Sequence, residues 1–190
     1  MATATETHAD RAAYAVIAGM AGFLGLLTVA SGIWGTVALA LGAGPVELFA
    51  RGDLADGAPG RITSATVTSD LLSDGTRALL VTGSALGVLV TAAIYVAVVV
   101  FLVMTARGTP FHRFLYPVVL TAGIAMSLGG LLAGGLDGFG RMVAGGELGE
   151  PYETAFELAV GPWAFGFVVL VAAYVIRTGQ RLQRETEGLV

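Results

Sequence analysis

The sequence predicts an all-α membrane protein: a four-helix transmembrane bundle with a small extracytoplasmic β-cap. Three observations carry this. The 190 residues are 55% hydrophobic and only 13% charged, with a mean hydropathy of +0.80, outside the range of soluble globular chains. Four stretches, 12–41, 78–106, 114–136 and 158–176, contain no Asp, Glu, Lys, Arg or His. Each has about 20 residues or more, which is what a helix needs to cross a bilayer core. The charges between them are sorted. Arg11, Arg107, Arg113, Arg177, Arg181 and Arg184 lie in the two tails and the second connection, against four acids. Arg51, Arg61, Arg77 and Arg141 share the first and third connections with ten acids. Basic residues near span ends are held in the cytoplasm, so both termini are expected inside and both longer loops, 42–77 and 137–157, outside.

Taken in order, residues 1–11 are small and polar without an apolar period, and read as a short disordered cytoplasmic tail. The first span, 12–41, is several turns longer than a bilayer requires, so it must tilt or project. A secretory signal is the alternative, and Ala38-Leu39-Ala40 resembles a cleavage site. The apolar stretch, however, far exceeds a signal core of about 7 to 15 residues. Gly19, Gly22 and Gly25 recur every three residues and form a small-residue strip suited to close helix packing. Trp34 and Thr36 mark the approach to the far interface.

Residues 42–77 form the long polar connection, with Pro45 and Pro59 in it. Inside it, Arg61 to Ser69 reads RITSATVTS, a β-branched run bounded by glycine and serine clusters, which is a strand signal. A lone strand is not stable, so it needs a partner from Val46 to Phe49 or from the later loop near Met142. The alternative is a solvated connector.

The second span, 78–106, ends in YVAVVVFLVM. A bilayer leaves no water for unpaired backbone groups, so helix is expected there despite the strand propensity of Val. The turn RGTPFHR follows, broken by Gly108 and Pro110. The third span, 114–136, reaches about 34 Å and carries Gly123, Ser127, Gly130, Gly134 and Gly138 at three- and four-residue intervals. One face is therefore nearly free of side-chain bulk, and this helix is expected to be the central packing element. A second polar loop, 137–157, leads through Pro151 to the fourth span, 158–176, anchored by Trp163. Arg177, Arg181 and Arg184 then continue it as a basic stem within the tail 177–190.

The same inventory excludes chemistry class by class. A net charge of −4, with ten Arg as the whole basic complement, denies the clustered cations that nucleic-acid binding demands. Zero cysteines removes disulfides, thiolate metal sites and thiol nucleophiles. The two histidines, His8 and His112, lie outside the spans, so no cofactor or metal is expected within the bundle. Proton-coupled transport normally needs an ionisable group at depth, and the spans have none. Ser127 has no His or Lys at its depth to serve as a base, so no enzyme is expected. Thr28, Ser31, Thr91, Tyr95, Thr121 and Ser127 are read as packing groups that satisfy themselves against helix carbonyls. Unwinding at Gly129-Gly130 or Gly134-Gly135, which would free carbonyls for an ion, is the alternative. Water-exposed polarity gathers in the outer loops, so Arg51, Arg61, Arg141, Glu147 and Glu150 form the candidate contact face.

Two short motifs carry a family resemblance. Gly108-Thr109-Pro110-Phe111 enters the third span, and Gly179, Leu182 and Glu185 lead into Glu187-Gly188-Leu189-Val190 at the end. With the four-span plan, the chain resembles the bacterial membrane proteins catalogued as domain of unknown function 2975. It departs from that pattern in Gln183-Arg184-Glu185 and in its glycine-rich outer loops. The resemblance implies a bacterial inner-membrane location and, often, a neighbouring gene for a small helix-turn-helix regulator. It implies no activity.

The expectation from these readings is a non-enzymatic sensor or regulatory partner protein. It would be embedded in the lipid bilayer, contact a membrane or cytoplasmic protein, and be able to form homo-oligomers. The alternative is a channel or transporter component. That would require an oligomer, because Gly, Ala, Val and Leu offer no polar path within one subunit.

Overall fold

The computed structural model describes residues 4–53, 61–107, 114–158 and 160–187. The chain runs α1 (Ala4–Ala40), β1 (Pro45–Asp53), β2 (Arg61–Thr68), a 3-10 turn (Ser69–Leu71) and α2 (Asp74–Ala106). It continues through α3 (Leu115–Ile124), a π-helical segment (Ala125–Gly129), α4 (Gly130–Leu148) and α5 (Val160–Glu187). Four helical stretches are long and apolar enough to cross a membrane: Ala12–Ala40, Asp74–Ala106, Leu115–Leu148 and Trp163–Leu182. The motif Gly108–Phe111, His112, Arg113 and the end Gly188–Val190 lie outside the described residues.

Several expected boundaries move, most of them toward more helix, although α1 ends at Ala40 and α5 begins only at Val160. The tail expected to be disordered is helical from Ala4 onward. Adding a residue to an existing helix costs far less than starting one, so the long apolar helix extends backward through Asp10 to Ala4. The second helix begins at Asp74 rather than near residue 78. The largest correction concerns the expected loop 137–157, whose first twelve residues are helical as far as Leu148. Asp137 and Arg141 pair across one helical turn at 2.8 Å, which supports the helix through charges that the hydropathy reading took as its end. Glycine closes this helix: Gly149 has φ +69°, and its N–H donates to the Gly145 carbonyl at 3.1 Å. Gly42, at φ +82°, does the same for α1, with Ala43 N–H donating to the Ala38 carbonyl at 2.9 Å.

The strand signal is realised, with the earlier of its two candidate partners. β1 and β2 are antiparallel, pairing Val46 with Val67 and Leu48 with Ala65. Between Phe49↔Ser64 and Gly52↔Ile62 the register shifts, so Ala50 and Arg51 together oppose Thr63 in a β-bulge. Along β1 burial alternates: Val46, Leu48 and Ala50 are buried, while Glu47, Phe49 and Arg51 are exposed.

The chain divides into two compact units. One comprises Met1–Val29, Leu89–Gly129 and Gly161–Val190. In it Leu115, Val119 and Ala173 form a buried cluster, with Val100, Tyr116, Leu120, Val169 and Ile176 packed against it. Small residues set the α3–α5 contact from both sides. A Cβ on Gly123 would meet Leu170 Cδ2 at 2.8 Å, and Gly166 lies directly against Ser127 Oγ. Gly25 is likewise crowded by the Tyr95 ring, at 2.6 Å from a built Cβ. Gly19 has no neighbour within 4 Å and Gly22 meets only Val99 at 3.7 Å, so the tight approach expected of those two belongs to Gly25.

The other unit comprises Ala30–Val88 and Gly130–Val160. Its core is Val46, Leu48, Val67, Leu72, Leu80 and Ala144, with Leu39, Leu148 and Tyr152 packed around it. The sheet thus lays its apolar face on the end of α1, the start of α2 and the end of α4. Gly83 lets α2 approach the backbone of α4, since a Cβ there would stand 2.8 Å from Asp137 N. Thr36 Oγ1 and Ser84 Oγ share a 2.7 Å hydrogen bond between α1 and α2, so Thr36 joins two helices.

Candidate functional site

Polar groups concentrate where the sheet meets the helix ends, and each has a defined task. Ser73 precedes α2 as its N-cap: its Oγ accepts from Thr76 N–H at 3.3 Å, and its carbonyl accepts from Arg77 N–H at 2.9 Å. In a capping box a Glu or Gln at the third helical position reaches back to the N-cap N–H. Here that position is Thr76, and the carboxylate comes from Glu147 on α4. It accepts from Ser73 N–H at 3.1 Å, Ser73 Oγ at 2.7 Å and Thr76 Oγ1 at 2.6 Å. Glu147 lies eleven residues beyond the uncharged stretch 114–136, near the end of a 34-residue helical stretch that exceeds the roughly 20 residues needed to cross a bilayer core. The Thr76 hydroxyl, then that of Ser73, holds its carboxyl below the ordinary value of 4.5; partial burial opposes this, and Ser73 N–H assists.

Two arginines brace the neighbouring backbone. Arg77 Nε donates to the Ser69 carbonyl at 3.2 Å and its Nη2 to the Leu72 carbonyl at 3.3 Å, fixing the turn between β2 and α2. Arg141 Nη1 donates to the Glu47 carbonyl at 2.8 Å while its Nε holds Asp137, which ties β1 to α4. A third tie comes from the segment after α4. Ala50 bridges Tyr152, Arg51 N–H donates to the Pro151 carbonyl and Glu153 N–H to the Phe49 carbonyl, both at 2.9 Å. The Glu150–Pro151 peptide is cis, and Arg51 Nε pairs with Glu153 at 2.7 Å.

The candidate contact face is therefore spread over separate structural contacts. Arg51 is used by Glu153, Arg141 by Asp137 and β1, and Glu147 by the start of α2. Glu150 is exposed at the turn after α4, and the Arg61 side chain lies outside the described residues. Among the described residues, no three His, Cys, Asp or Glu side chains come together as metal ligands. The chain matches no family model, no curated protein and no solved structure.

In the other unit, Ser127 is 4% exposed and its Oγ has no hydrogen-bond partner. It lies in the π-helical segment, where the helix ladder is locally interrupted. The interruption falls at Ala125–Gly129, next to the Gly129-Gly130 pair read as a point for unwinding, and the helix resumes at Gly130. Thr28 returns its hydroxyl to the Leu24 carbonyl at 2.8 Å, as expected of a packing group. On α5, Arg177 lies over the Tyr116 ring at 5.6 Å and Arg181 pairs with Glu185 at 2.7 Å. The Arg184 side chain lies outside the described residues.

Sequence reasoning names Glu153 only as one of a loose outer acidic set with Glu147, Glu150 and Glu157, and misses Ser73, Thr76 and the pairing of Asp137. The S-x-x-T order around Asp74 was a legible N-cap signal, but nothing in the order of residues joins it to Glu147.

Proposed function

We propose that this is a multi-pass membrane protein without catalytic chemistry, acting as a regulatory partner whose water-exposed cap is the surface read by another protein. The observation behind the membrane reading is where the apolar surface lies. Large apolar side chains on all four long helices are exposed, among them Leu26 at 68%, Leu89 at 66%, Leu132 at 59% and Val171 at 64%. Water would not tolerate so much contiguous apolar area, whereas lipid would cover it. The third helix supports the central-packing reading, since 39% of its apolar window is buried, against 6 to 17% in the others. Both termini are assigned to the cytoplasm on the arginine distribution, and the motifs at Gly108–Phe111 and Glu185–Val190 suggest the domain of unknown function 2975 family.

The partner reading is carried by the cap. Arg77, Arg141, Glu147 and the Arg51–Glu153 pair join the strands, turns and helix ends of the cap, which favours a rigid recognition surface over a reactive centre. Purified protein in liposomes at physiological salt is expected to pass no ion; measurable flux would replace this reading with the oligomeric channel. Ser64→Cys, in a chain with no other thiol, is expected to react with an impermeant reagent from outside the cell. Reaction only after membrane disruption would reverse the orientation.

A further inference from the structure

We propose that β2 is a dimerisation edge, pairing antiparallel with β2 of a second copy of this chain, with Ala65 on the two-fold axis. β1 is flanked on both sides, by β2 and by the bridge at Tyr152, whereas β2 pairs with β1 alone among the described residues. On its far side every second residue turns a backbone N–H and C=O outward, and only another extended strand can pair such a row in register.

Natural edge strands are normally blunted by charge, proline, a bulge or an inward-pointing lysine. Apart from Arg61 at its first position, β2 contains no charged residue, no proline and no glycine, and the bulge sits on β1 instead. Thr63, Ser64, Thr66 and Thr68 are exposed and Ala65 is half-buried. The sequence is also self-complementary. Two antiparallel copies related by a two-fold axis must pair residues on the same face of the sheet. Centring on Ala65 sets Ser64 opposite Thr66 and Thr63 opposite Val67. Ser64 then meets Thr66 hydroxyl to hydroxyl on the outer face, and on the other face Ala65 meets Ala65 with Val67 opposite the methyl-bearing Thr63. The smallest side chain of the strand falls where the two copies come closest.

Two copies inserted the same way into one bilayer can be related only by an axis along the membrane normal. An antiparallel strand pair has its two-fold axis perpendicular to the sheet. The pairing therefore requires the sheet, whose buried face packs on Leu39, Leu80, Ala144 and Leu148 near the helix ends, to lie across the membrane normal. Only this direction rests on the membrane reading above. Carbonate extraction of membranes tests that reading separately, so the two can fail independently.

The full chain lacks cysteine, so a single Ala65→Cys reports the pairing without background. Facing residues in an antiparallel pair have Cα atoms about 4.5–5.5 Å apart, within disulfide range. Mild oxidation of membranes holding A65C is expected to give a disulfide species of twice the 19.3 kDa chain mass. T68C, whose copies would lie about 20 Å apart, is expected to remain at the single-chain mass. S64K with T66K places lysines opposite each other at exposed positions, and in the A65C background is expected to abolish the dimer band. The proposal is overturned if A65C gives no dimer, if T68C crosslinks as readily, or if the two lysines leave crosslinking unchanged. Recovery of A65C joined to a different protein would also overturn it, assigning the edge to a partner's strand.

Discussion

Glu147 and Thr76 are 71 residues apart in the chain and 2.6 Å apart in the fold, with the Thr76 hydroxyl donating to the carboxylate. That contact makes the start of α2 depend on the end of α4, because the donors at a helix N-terminus have no partner within their own helix. Replacing Glu147 by Ala is expected to cost about 1 kcal/mol, the usual loss for a removed cap. Thr76→Val, which keeps the shape and removes the donor, is expected to reproduce most of it. Thermal unfolding in detergent measures both. If either variant melts with the parent, the carboxylate contributes nothing to the cap.

The same carboxylate gives the protein a pH dependence of known sign. Its folded pKa lies below the ordinary 4.5, so folding favours the ionised form. The stability it adds is complete above the unfolded value and is lost as pH falls through the folded one. Between about pH 6 and pH 3 the parent should lose more stability than Glu147→Gln, which cannot titrate there. Parallel pH dependences in the two proteins would show the group to be uncoupled from folding.

Bulk should be resisted at Gly123, where α3 meets α5, and tolerated at Gly19 on α1. Gly123→Leu drives a side chain into Leu170 and its backbone, and an overpacked site costs about 1–3 kcal/mol. Gly19→Leu, on a helix face with no neighbour within 4 Å, should unfold with the parent. Equal sensitivity at both positions would show that helix propensity, and not the close approach, governs the effect.

Ser127→Ala is expected to stabilise the protein. The hydroxyl is buried without a partner, and an unsatisfied buried polar group costs about 1–3 kcal/mol, which its removal would recover in part. A lower melting temperature for S127A would mean that the hydroxyl has a partner in solution, such as an ordered water, at the π-helical segment.

The order of residues alone determined the four long apolar helices and marked 61–69 as a strand candidate, leaving its formation and its partner open. Apolar runs and β-branched alternation are local patterns, and burying a backbone without water leaves helix as the solution for such runs. It did not reveal the extra helix between Asp137 and Leu148. Hydropathy counts those charges against a helix and gives no weight to the i,i+4 spacing of Asp137 and Arg141, while the Arg141 bond to the Glu47 carbonyl depends on where β1 lies. Likewise, the glycine repeat announced close packing without saying which glycines. Gly25 and Gly19 are equivalent in sequence, and only the placement of Tyr95 makes one crowded and the other open. The polar face followed the same division. Composition placed the charges near the strands, but whether Glu147 would serve a ligand or a helix end was decided by folding. That folding set the carboxylate 2.6 Å from Thr76 Oγ1, across 71 residues that no local pattern connects.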